Sequence, residues 1–272
     1  MTGMDVARKI QLPDALIEAI YRTEPLDLQL EPGDFQKNLE KAETYAKEDN
    51  GLRILRCYLE WAVSLKGQYD ALGIPETVFW DGVKDLAIWA KDHWDKHGTL
   101  GFSEWGWVIT TLSMKVFRLG RLQFEPMCLE TDIVCGGQIY PAGTAILNVH
   151  IPAGEPLDIG EVRAAMDYAP VFFKTYFQND CTLFCCHSWL LSPQLKELLP
   201  EGSRILQFQN LFSVFEVDRE RQAEERVFGF LAENPESYPE ETSLQKKMKA
   251  SLLAGKAFGM GRGICRKTSE QE

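Results

Sequence analysis

Three places in the chain set reactive side chains beside a strand end or a helix start. In the first, the mostly apolar run Ala145-Ile146-Leu147-Asn148-Val149-His150-Ile151 reads as an interior strand. Pro152-Ala153-Gly154 ends it, and Asp158 caps the helix that follows, to about Phe177. Free backbone N–H groups and the helix dipole at such a junction attract anionic groups, including the pyrophosphate of a nucleotide cofactor. Every strand–helix unit has such a junction, and this one lacks a glycine-rich phosphate fingerprint. On the residues alone a plain structural turn is the better reading, with His150 a hydrogen-bonded core residue rather than a base.

The second place is Cys185-Cys186-His187-Ser188-Trp189. Neighbours in a strand point to opposite faces, so Cys186 and Ser188 share one face and Cys185 and His187 the other. Cys186 and His187 are therefore poorly placed to act on each other as nucleophile and base, although a histidine on another strand is open to either cysteine. The default for a buried cysteine is a small hydrophobe. The third place is His93-Trp94-Asp95-Lys96-His97, two histidines one helical turn apart. That spacing can hold a metal, but the central glutamate of a metalloprotease is absent and no carboxylate motif follows, so no metal is expected.

The elements that position these residues fall into two textures. The first hundred or so residues read as helices. Pro13 opens one, Asp34 caps another, and 52–72 carries Leu55, Leu59, Ala62, Leu65 and Tyr69 at three- and four-residue steps. After Gly73-Ile74-Pro75 a further helix places Phe79, Val83, Leu86, Ala90 and His93 on one face, stopped by His97-Gly98. A Trp-rich helix then runs from Ser103-Glu104 to about Phe117. From Leu119-Gly120 onward the spacing changes to period two, with turn signals at Gly136-Gly137 and Pro141-Ala142-Gly143. Buried strands are expected at 145–151 and 182–189, and a third extended segment at 203–217. The alternation with helices suggests an α/β sheet with covered faces.

Composition narrows the partners. In a chain of 272 residues, 45% hydrophobic and 25% charged content is ordinary for a globular protein. A net charge of −11 argues against nucleic acid, whose phosphates need clustered cations. There is no apolar run of the roughly 18 residues a membrane-spanning helix needs, and MTGMDVARKI lacks the pattern of a signal peptide. Seven cysteines, an odd number with no paired C-x-x-C, fit a reducing, cytoplasmic setting. The stretch 243–269 is the exception in charge, with Lys246, Lys247, Lys249, Lys256, Arg262, Arg266 and Lys267 and no acidic residue. It begins as an amphipathic helix on Leu244, Met248 and Leu252 and reaches Gly259-Met260-Gly261-Arg262-Gly263.

Longer strings carry a resemblance. Gly73-Ile74-Pro75-Glu76-Thr77-Val78-Phe79-Trp80, Trp94, His97-Gly98 and the run Phe117 to Glu125 resemble the N-terminal part of a bacterial acyltransferase family. In that family an N-acyltransferase N-terminal domain precedes a GNAT-like C-terminal domain. Asn148 to Gly154, Cys186 to Pro193 with Leu195, and Leu199-Pro200 with Ser203 resemble the second half. The resemblance spans about residues 50 to 215 and implies α+β or α/β architecture: a helical domain over 1–118, then a mixed sheet flanked by helices over 119–272.

It also implies acyl-CoA as co-substrate. In GNAT-like enzymes two adjacent parallel strands splay apart, the acyl-CoA wedges between them, and an amine attacks the thioester directly. The counterparts are 145–151 and 182–189. For that reaction class His150 is the base candidate, Ser188 or Cys186 the proton-handling group, and Glu125 a substrate-orienting carboxylate. Asn148, Val149, Ile151, Ala153, Gly154 and Asp158 would line the cofactor, with Arg262 or Lys256 lent by the basic tail. The usual R-x-x-G-x-G/A phosphate loop is missing, and Glu155 is a poor neighbour for a phosphate. The expected function is acyl transfer from acyl-CoA to a small amine. The alternatives are a transferase that forms an acyl-enzyme on Cys186, and a non-catalytic protein that binds acyl-CoA or a metabolite.

Overall fold

The computed structural model describes residues 1–26, 28, 35–46 and 48–266. The chain forms two compact units, Met1–Gln123 with Pro152–Gly154, and Phe124–Ile151 with Glu155–Glu272. The first unit is helical: α1 (Gly3–Lys9), α2 (Asp14–Arg22), α3 (Phe35–Ala46), α4 (Leu52–Leu72), α5 (Glu76–Val83), α6 (Asp85–His97) and α7 (Trp105–Leu112). Asp34, the expected cap of α3, lies outside the described residues.

Helix α4 has the bounds its spacing predicts, and α1, α2, α3, α5 and α7 pack on it. Its stripe from Ile54 to Tyr69 is buried, with Tyr58 and Tyr69 set edge-on to Phe102 and Phe79. The single helix expected after Pro75 is two. The backbone stays right-handed through Lys84, whose ψ of −22° marks a tighter turn, so Phe79, Val83, Leu86, Ala90 and His93 are all buried. The Trp-rich helix ends sooner than expected because Met114 turns left-handed, at φ 56°. Phe117 is then already in β1 (Phe117–Leu119).

The chain passes from one unit to the other within β2 (Leu122–Cys128). The second unit continues with a hairpin, β3 (Ile133–Cys135) and β4 (Gln138–Tyr140), turned by Gly136-Gly137. Next come β5 (Ala145–His150), α8 (Ile159–Phe177), β6 (Leu183–Ser188), α9 (Leu195–Leu198), α10 (Arg204–Gln209), β7 (Ser213–Val217), α11 (Gln222–Phe228), α12 (Ser243–Leu253) and β8 (Gly261–Arg266). The sheet of this unit runs β2-β5-β6-β8-β7. β5 and β6 are parallel, and β8 is antiparallel to both of its neighbours, so the sheet is mixed.

Two expectations need correction. The segment 203–217 is not one extended run. The Ser203 hydroxyl accepts from the Leu206 N–H at 3.2 Å and starts α10, and only Ser213–Val217 is strand. The glycine-rich end of the basic tail is not a separate tail but leads into β8, an interior strand. A Cβ at Gly259 would stand 1.9 Å from the Asp218 carbonyl oxygen, and one at Gly261 would stand 2.3 Å from that of Leu191. These glycines let other backbone lie against the strand.

Beside the sheet, Leu195, Leu206, Phe228, Tyr238, Met248 and Phe258 form a core of their own, joined by Leu244 and Leu252 of the expected amphipathic helix α12. Arg221 binds the buried Glu224 carboxylate through two nitrogens, at 2.9 and 2.6 Å, and the Tyr238 hydroxyl donates to the same carboxylate. Among the described residues no helix is long and apolar enough to cross a membrane.

Candidate active site

The chemistry gathers where registered pairing between β5 and β6 ends. Their registered pairs are Leu147 with Phe184 and Asn148 with Cys185. Past the last of these, β5 runs on to His150 and β6 to Ser188. Alternation from the shared register puts Asn148, His150, Cys185 and His187 on one side of the sheet. Leu147, Val149, Phe184, Cys186 and Ser188 are on the other. Burial agrees: the first set is half-buried and the second buried.

His150 Nε2 is 3.1 Å from Glu125 Oε2 and 3.2 Å from Asn148 Nδ2. The nitrogen thus stands between an acceptor and a donor. Bare, it accepts from the Asn148 amide; protonated, it donates to the Glu125 carboxylate. Glu125, named by the sequence as an orienting carboxylate, sits on β2, one strand away from its partner.

A second histidine–carboxylate pair escaped the sequence reading. His187 Nε2 is 2.6 Å from Asp218 Oδ2, just past the end of β7. The Asp218 Oδ1 accepts from the Glu220 N–H at 2.8 Å and the Met260 N–H at 3.1 Å. Burial alone would raise this carboxyl, but the backbone bonds and His187 outweigh it and hold it below its ordinary range. Strand parity placed His187 on the open face; nothing local connects it to a residue 31 positions on.

The other expected residues fall elsewhere. Cys186 is fully buried on the face opposite His150, and burial pushes its thiol far above the usual range. Ser188 lies on that same opposite face, where its hydroxyl accepts from the Leu190 N–H at 3.2 Å. Asp158 Oδ1 accepts from the Gly160 and Glu161 N–H groups, so the carboxylate already uses two of the donors at the start of α8. Ala153 and Gly154 are in the turn after β5, and Arg121, which the sequence reading had not placed there, donates to the Pro152 carbonyl at 3.0 Å.

Arg262 lies on the His187 side of β8, paired with Glu216 at 3.5 Å. Lys256 pairs with Glu197 and Lys249 with Glu240, so much of the tail's positive charge is opposed. His93 bonds the hydroxyls of Ser103 and Thr99. Among the described residues no group of three His, Cys, Asp or Glu side chains is placed to hold a metal.

Residues 116–265, over half of the chain, match the family model of the GNAT-like C-terminal domain. The chain belongs to that family. Residues 2–114 match the N-acyltransferase N-terminal domain, the combination the sequence motifs resembled. The chain is thus a GNAT-like N-acyltransferase.

Solved acyltransferases share the fold. One, in complex with decanoyl-CoA and teicoplanin, is 23% identical with a TM-score of 0.76 and covers 97% of this chain and 87% of its own. A second, in complex with CoA and 10C-teicoplanin, gives the same values. A third, in complex with decanoyl-CoA, is 22% identical with a TM-score of 0.69, covering 98% of this chain and 99% of its own. No curated protein is a significant match.

Proposed function

We propose that this acyltransferase moves an acyl group from acyl-CoA to an amine by direct attack in a ternary complex. The observation that carries the reading is the end of registered pairing between β5 and β6 past Asn148 and Cys185, with His150 and Glu125 just beyond it. A thioester lying beside the end of β5 would have its carbonyl polarised by β5 backbone N–H groups. As the amine nitrogen attacks the carbonyl carbon, His150 takes its proton, and Glu125 stabilises the imidazolium formed.

The acyl-CoA assignment draws support from the similar acyltransferases, which hold decanoyl-CoA and CoA. One of them also holds teicoplanin and another 10C-teicoplanin. The acceptor is accordingly widened here from a small free amine to an amine carried on a larger scaffold. The burial of Cys186 weighs against an acyl-enzyme on that thiol, and the ordered His150–Glu125 pair weighs against a purely binding role.

Octanoyl-CoA should raise the melting temperature, since a ligand that binds only the native state stabilises it by about 2.7 kcal/mol at a hundredfold excess over Kd. His150→Gln should keep that shift and lower turnover by about 10²–10⁴. The absence of a shift with any acyl-CoA, or full turnover in the folded variant, removes the reading.

A further inference from the structure

We propose that His187, oriented by Asp218, is a second proton-handling residue of the same site and supplies the proton that the departing CoA thiolate takes up. This rests on the acyl-transfer reading above. The placement is symmetrical. His150 lies two residues past Asn148 and His187 two residues past Cys185, and Asn148 and Cys185 are the last registered pair of two parallel strands. The two histidines therefore occupy equivalent positions on one face of the sheet, on adjacent strands just past their last registered pair.

Each has its own carboxylate, from a different part of the chain: Glu125 on β2 and Asp218 after β7. Asp218 is held by two backbone N–H groups on one oxygen and meets His187 with the other, so the ring cannot turn freely. With Nε2 committed to Asp218, Nδ1 is the ring nitrogen left for a substrate. On this side of the sheet Arg262 is paired with Glu216, and burial pushes the Cys185 thiol up.

Amide formation from a thioester needs two proton transfers at two places. The amine nitrogen forms the new C–N bond, and its surplus proton goes to His150. The tetrahedral oxyanion then re-forms the carbonyl, the C–S bond breaks with its electron pair on sulfur, and the sulfur takes the Nδ1 proton of His187. The products are amide and thiol; His150 returns its proton to water and His187 regains one, so the sum balances. A single imidazole would have to serve both atoms, whereas two on adjacent strands serve one each.

The test uses the full-length protein, octanoyl-CoA and a panel of primary amines from glucosamine to teicoplanin. His187→Ala should keep its melting temperature and its octanoyl-CoA shift, and lose about 10²–10³ in turnover. Added imidazole should restore turnover in proportion to its protonated fraction as pH is varied, which a merely structural histidine would not show. Asp218→Asn should lower turnover without imidazole rescue, because His187 still fills the place. Unchanged turnover in His187→Ala, or a loss that imidazole does not relieve, overturns the proposal. Wild-type protein that transfers to no amine overturns the acyl-transfer reading, and this role with it.

Discussion

Gly261→Ala measures how tightly the C-terminal strand is built into the fold. β8 lies between β6 and β7, and a Cβ at Gly261 would stand 2.3 Å from the Leu191 carbonyl oxygen and 2.7 Å from its carbon. Ordinary contact is about 3.5 Å, so something must move by roughly 1 Å. Neither atom is the loose end of a side chain. Leu191 ends a short 3₁₀ turn that Ser188 caps, and Gln209 Nε2 donates to the carbonyls on either side, Leu190 at 3.2 Å and Ser192 at 2.8 Å.

Overpacking of a rigid site costs about 1–3 kcal/mol, and the upper end applies here. The reduced entropy of the unfolded chain returns about 0.4–1 kcal/mol, which leaves a net loss near 2. At about 2–4 °C per kcal/mol, the melting temperature should fall by roughly 4–8 °C. Differential scanning calorimetry and urea titration both read it. Gly67→Ala is the control, because Gly67 is exposed in α4 with nothing within 4 Å of its Cβ, and it should gain about 0.5–1 kcal/mol. A Gly261→Ala protein as stable as wild type but weaker for octanoyl-CoA would refute this reasoning, since that is how a phosphate-binding glycine would behave.

Two further outcomes follow from burial and pairing. Burial raises the Glu224 carboxyl, but bonds from Arg221 and Tyr238 more than offset this, so its pKa is lowered in the folded protein. Its contribution is present above the unfolded carboxylate range and is lost as pH falls through the lower folded value, so Glu224→Gln should flatten the acid side of a plot of unfolding free energy against pH; an acid slope equal to that of wild type would contradict it. In the native protein iodoacetamide should modify the exposed Cys128 well before Cys186, as peptide mass spectrometry would show, and Cys186→Ala should retain turnover. Early labelling of Cys186, or an acyl group found on it, would restore the acyl-enzyme route.

The helices of the first unit were legible because their causes are local. A stripe at three- and four-residue steps, bounded by Gly51 and Gly73, is enough to specify α4. Strand parity is local too, and it separated Cys185 and His187 from Cys186 and Ser188 before any fold was known. Short apolar runs are ambiguous: 203–217 read as one strand, whereas a serine cap makes half of it helix.

The motifs likewise pointed to the acyltransferase family, and His150 and Glu125 were each singled out from the sequence. What brings them within 3.1 Å is the docking of β2 in the sheet across 25 residues of chain. The same holds for His187 and Asp218, and for β8, whose glycines lie against the Leu191 and Asp218 backbones. Side-chain direction along a strand is set by the chain's own geometry. Which strands become neighbours, and in what register, is set by long-range burial and hydrogen bonding, and only the tertiary structure records it.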